Sequence, residues 1–131
     1  LLNYIAAIAN GGKFYRPFIV KKEIPQIIKD YSNLFPYIEE IQKAMVDTVA
    51  KSYGTANLLS DLPVKVAAKT GTAQIQKNTK INAFFTGYLP TKNPQIAVLI
   101  LIEEAKEGSS NALPVAKEVL RWYYENRIKN L

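Results

Sequence analysis

The sequence predicts an α/β fold of the α+β type, an antiparallel sheet flanked by helices, and three observations carry that reading. Apolar residues recur at three-to-four spacing near both ends of the chain and once in between, as amphipathic helices require. In the second half the period changes, and runs rich in β-branched and aromatic residues occupy 64–75, 82–90 and 95–105. The connections between these runs are short and polar, which makes neighbouring strands antiparallel.

Each element has its own signal. Leu2, Ile5, Ile8 and Ala9 form one helical face, and Asn10-Gly11-Gly12 stops that helix. The stretch "KFYRPFIVKKEI" has strand composition, with Pro17 pushing it to an edge. Residues up to Asn33 carry no clear period. Pro36 stands where a helix begins, and Ile38, Ile41, Met45 and Val49 make its buried stripe. "SYGTA" closes it, with Gly54 expected in the left-handed region. Of the three strands, "QIAVLILIEEA" is almost wholly apolar, so a central position covered on both faces is expected. Asn111 is the expected cap of the last helix, whose stripe is Leu113, Ala116, Leu120 and Tyr123. Arg127 and Lys129 fall near the negative end of its dipole, and Trp122 reads as a core or partner-facing residue.

The 131 residues and 48% hydrophobic content suit one domain with a real core, so residues 1–131 are taken as one unit. The first residue is not Met and lies inside an apolar periodic run, which reads as a piece of a longer chain. A net charge of +6 favours anionic surroundings, but "KK" at 21–22 and "RIKN" at 127–130 are too short for a nucleic-acid arm. Cysteine and histidine are absent, so disulfides, histidine catalysis and a conventional zinc site are excluded within this chain. The run "IAVLILIEE" is too short to span a bilayer.

Chemistry concentrates in "VAAKTGTAQ", residues 66–74. Strand alternation sends Lys69 and Gly71 to one face and Thr70 and Thr72 to the other. All four serve one ligand only if it lies along the strand's edge, as an extended peptide does. Gly71 then admits a second backbone, and Lys69 supplies positive charge near a carboxylate or a hydroxyl proton. Thr70 and Thr72 donate to a carboxylate, and the Thr72 N–H can form one arm of an oxyanion hole.

Lys69-Thr70-Gly71 is one of the signatures of serine β-lactamases and penicillin-binding proteins. Around it stand "YIAAIANGGKFYRP", "SYGTA", "NAFFTGYLP", "NPQIAVLILIEE" and "ALPVAKEVL". In that order, over nearly the whole chain, they resemble the C-terminal part of the transpeptidase domain of class B penicillin-binding proteins, nearest to the elongation-type penicillin-binding protein 2 branch. The resemblance implies the C-terminal portion of the β-lactamase/D,D-transpeptidase fold and a serine acyl-transferase that cross-links peptidoglycan. It implies no cofactor and no metal. Its implied ligands are a D-Ala-D-Ala stem peptide and β-lactams, and its implied location is the extracytoplasmic face of a bacterial membrane, the anchor lying outside this chain. Lys69 and Thr72 take the catalytic roles, proton transfer and oxyanion binding, while Thr70, Gly71 and Thr72 bind substrate.

The same family needs a nucleophilic serine in S-x-x-K and an S-x-N upstream of the Lys69 motif. Serine occurs at Ser32, Ser52, Ser60, Ser109 and Ser110, and none has Lys three residues later. Ser109-Ser110-Asn111 matches S-x-N in form but follows the motif, and reads as a helix cap. The nucleophile is therefore expected in the remainder of the transpeptidase domain, with this chain alone inactive and prone to self-association through uncovered apolar surfaces. A serine β-lactamase or β-lactam sensor, and a non-catalytic cell-wall or partner-binding module, are the competing readings.

Overall fold

The computed structural model describes residues 1–20, 23–75, 80–105 and 108–129, with the backbone alone for 108–110. Helix α1 (Leu2–Ala9) buries Ile5 and Ala7, while Leu2 stays on the surface. Its end is a Schellman motif: Gly12 N–H donates to Ala7 O at 2.8 Å and Gly11 N–H to Ile8 O at 3.3 Å. Gly11 takes φ of +83°, open to a residue without Cβ. The Asn10 side chain then brackets Lys13, accepting from its N–H and donating to its carbonyl, both at 2.8 Å. Strand β1 (Lys13–Tyr15) pairs antiparallel with β2 (Ile27–Asp30). The expected strand thus ends two residues before Pro17, whose missing N–H cannot extend the ladder.

Helix α2 (Phe35–Ala50) carries Pro36 in its first turn and buries Ile38, Met45 and Val49. Ile41 departs from the expected stripe and is 45% exposed. Gly54 departs too, since its φ is not in the left-handed region. Its requirement is spatial: an added Cβ would sit 2.1 Å from the carbonyl oxygen of Thr48.

The main sheet has the order β3 (Ala67–Ile75), β4 (Lys80–Leu89), β5 (Ile96–Ala105), antiparallel throughout. Of the polar connection expected over 76–80, residues 76–79 lie outside the described residues, as does the 21–22 lysine pair, and Lys80 already begins β4. β4, not β5, is the central strand. Nor is β5 covered on both faces: helix α3 (Gly108–Tyr123) packs along one, while the other meets α1 at Ala97 and leaves Leu101 45% exposed. Ile96, Val98, Ile100 and Ile102 pack toward α3, and Ala97 toward α1. The larger core joins Phe85, Leu89, Ala68 and Leu59 to Leu113, Ala116 and Leu120. A smaller one joins Ile5, Met45, Ala67 and Tyr88 on the opposite face.

Helix α3 begins at Gly108, so Asn111 lies inside it and is not its cap. Ser109, Ser110 and Asn111 all have cap chemistry, and local propensity does not choose among three in tandem. Tyr123 is half-buried, and α3 continues as a π-helical turn over Tyr124–Ile128. Trp122 is 55% exposed, with the Arg127 guanidinium 6.0 Å from its ring centroid, so it is not a core residue.

Candidate functional site

The Lys69 motif lies in β3, which pairs with β4 from Ala67 to Ile75. On its other side no strand pairs with it among the described residues. An antiparallel strand turns the backbone groups of alternate residues away from its partner. Those of β3 receive no backbone hydrogen bond from a turn or loop among the described residues.

Register sorts the side chains. Lys69 and Gly71 stand opposite Thr86 and Phe84, on the face that carries α1. Thr70 and Thr72 stand opposite Phe85 and Ala83, on the face that carries α3. An open depression of about 310 Å³ runs along this edge, lined by Leu1, Ile5, Phe84, Thr86 and residues 69–73. A second depression, about 390 Å³ between α2 and residues 59–66, carries none of the four motif residues.

The four residues differ in what holds them. Lys69 is exposed, its ammonium donates to the carbonyl oxygen of Thr70, and Thr86 Oγ1 donates to the carbonyl of Lys69 at 3.3 Å. No ion pair reaches Lys69 among the described residues; the lysines that pair with carboxylates are Lys43, Lys80 and Lys117. Its charge is therefore available to an incoming anion. Gly71 is open: an added Cβ would meet only Phe84 Cβ, at an ordinary 3.5 Å. Thr72 is exposed, whereas Thr70 is only 7% exposed. The Thr70 hydroxyl lies 2.8 Å from that of Thr55, fifteen residues earlier in the chain.

Thr55 and Thr86 are the contacts that sequence reasoning missed. Thr55 belongs to "SYGTA", but only the tertiary fold shows which hydroxyl it meets. The Lys117 ammonium, at 2.8 Å, holds the Asp61 carboxyl below its ordinary range and ties the loop after Leu59 to α3. Ser32 is engaged with Asp30, donating to its carboxylate through both N–H and hydroxyl, which lowers that carboxyl in turn. Among the described residues there is no cluster of acidic side chains able to hold a metal, and no helix long and apolar enough to cross a membrane.

This sheet edge carries the Lys-Thr-Gly signature of class A β-lactamases and penicillin-binding proteins, with helices packed against the sheet on both faces. The profile of the penicillin binding protein transpeptidase domain matches residues 1–121, and the chain belongs to that family. It is 31% identical to the peptidoglycan D,D-transpeptidase MrdA of Haemophilus influenzae, over 92% of this chain and 22% of that protein. Penicillin-binding protein 2A of Bacillus subtilis is 29% identical, over 98% of this chain and 22% of that protein. Among solved structures, the penicillin-binding protein PBP2 of Helicobacter pylori aligns with a TM-score of 0.84 at 27% identity, over 97% of this chain and 24% of that one. The chain spans about a quarter or less of the length of these relatives.

Proposed function

We propose that this chain is the C-terminal, substrate-aligning part of a longer serine-type D,D-transpeptidase, located on the extracytoplasmic face of a bacterial membrane. The observation that carries the proposal is the open β3 edge, where an unpaired-by-carboxylate lysine, a glycine the fold does not require and an exposed threonine follow one another. In the reaction, a serine outside this chain attacks the D-Ala-D-Ala carbonyl of a stem peptide. D-Alanine leaves, and an amine of a second stem peptide resolves the acyl-enzyme. β-Lactams acylate the same serine.

The peptide lies along β3 and pairs with its outward backbone groups. Gly71 lets that backbone approach. Lys69 assists proton transfer and stabilises developing negative charge. Thr70 and Thr72 bind the terminal carboxylate, and the Thr72 N–H points at the oxyanion. The exposure of Lys69 and Thr72 and the open space beside Gly71 support these roles.

The test is acylation of the full-length protein by a fluorescent penicillin, competed by unlabelled D-Ala-D-Ala-type β-lactam. A stable covalent band with very slow release is expected. Rapid turnover of the drug would instead place the protein with the β-lactamases, and absence of any adduct would make it a non-catalytic module. Side chains such as Ile19, Ile24, Tyr37 and Tyr53, each more than 70% exposed, support self-association of the chain when expressed alone. Light scattering at rising concentration is expected to show species larger than a monomer, and a monomer at every concentration counts against it.

A further inference from the structure

We infer that Thr55 is a positioning residue for the site: its hydroxyl donates to Thr70 Oγ1 and so aims the Thr70 proton at the ligand's carboxylate. This rests on the carboxylate-binding reading of Thr70 proposed above. The segment after α2 is built to place Thr55. Gly54 N–H donates to Lys51 O at 2.9 Å and Ala56 N–H to Thr48 O at 3.1 Å, folding the chain back on the helix end. Asn57 Nδ2 clamps the same turn through Val49 O at 3.1 Å and Lys51 O at 3.0 Å. Gly54 has no room for a Cβ, and Ala56 is fully buried. Thr55, between them, is nevertheless exposed. Its placement is fixed from both sides, although water would satisfy its hydroxyl anywhere on the surface.

The recipient explains the placement. A threonine hydroxyl has one proton and two lone pairs. If Thr70 gives its one proton to a carboxylate, its 2.8 Å contact with Thr55 Oγ1 is made with Thr55 as the donor. With Thr55 as donor, the Thr70 rotor is set before the ligand arrives, and the two hydroxyls and the carboxylate form one polarised chain. Burial of Thr70 keeps bulk water from resetting that rotor. The hydroxyl that satisfies buried Thr70 within the fold also gives the ligand's carboxylate a pre-aimed donor.

The experiment compares acylation of the full-length protein by a penicillin with its free carboxylate and by the methyl ester of the same drug. The ratio of the two second-order rate constants is the carboxylate preference. Thr55→Val is expected to reduce that preference about two- to tenfold, the range of one hydrogen bond, with the ester rate little changed. Thr55→Ser, which keeps the hydroxyl, is expected to restore it. Thr70→Val serves as the reference. If Thr70→Val lowers the preference and Thr55→Val does not, the inference falls alone. If Thr70→Val also leaves it intact, the carboxylate reading of Thr70 falls and takes the inference with it. Equal losses for acid and ester, or a Thr55→Ser protein that behaves like Thr55→Val, show a purely structural contact and overturn the inference.

Discussion

Gly71 and Gly54 lie seventeen residues apart, neither in the left-handed region, and the structure gives them opposite tolerances. At Gly71 a Cβ meets one atom at 3.5 Å, an ordinary contact. Gly71→Ala is therefore expected to be neutral or to stabilise the chain by about 0.4–1 kcal/mol, through the lower entropy of the unfolded state. At Gly54 the Cβ falls 2.1 Å from Thr48 O and 2.6 Å from Thr48 C, both backbone atoms that cannot swing aside. Gly54→Ala is expected to cost about 1–3 kcal/mol of strain. Urea unfolding of the chain at low concentration separates the two, with midpoints differing by roughly 1 M for a typical slope. On function the order reverses. A methyl at residue 71 would fill the edge where the peptide is proposed to lie, and acylation of the full-length protein should fall by about ten- to a hundredfold. A Gly71→Ala chain that loses more than about 1 kcal/mol refutes the reasoning, because the glycine would then serve the fold and not an approaching ligand.

Two further outcomes test the packing and its titration. Leu120 is fully buried in the larger core, so Leu120→Ala should cost about 2–5 kcal/mol, while Ile41→Ala, on the exposed side of α2, should stay within about 0.5 kcal/mol in the same unfolding assay. Burial pushes the Tyr88 hydroxyl above its ordinary value of 10. The neutral phenol is the form the fold prefers, so this stabilisation is complete below about pH 10 and is lost as pH rises through the folded value. Denaturation between pH 8 and 12 should show wild type losing more stability than Tyr88→Phe above pH 10, and parallel curves would contradict the assignment.

Much of this arrangement is legible in the residues. The 2-5-8-9 stripe with its Asn-Gly-Gly stop marks α1 and its Schellman end because both signals are local. The three strands of the main sheet are legible within three residues at each end, since a change of period needs no tertiary information. Lateral order is not legible that way. β5 has the composition of a buried strand and stands at an edge, because packing one face against α3 already selects apolar side chains, while Leu101 on the other face is left 45% exposed. The Gly54 turn departs from expectation for its own reason: glycine after a helix usually answers a dihedral demand, and here it answers a steric one. The Lys69 motif stands out by residue type, but the Thr55–Thr70 contact joins two β-branched hydroxyls that only the packing of the α2 turn against β3 brings together.

The central claim is that this chain aligns the substrate while the attacking serine lies elsewhere in the protein. Peptide mapping by mass spectrometry after penicillin treatment of the full-length protein tests it directly. A single penicilloyl adduct is expected on a serine outside residues 1–131, lost when Lys69 is replaced by an uncharged residue. An adduct on Ser32, Ser52, Ser60, Ser109 or Ser110 would contradict it.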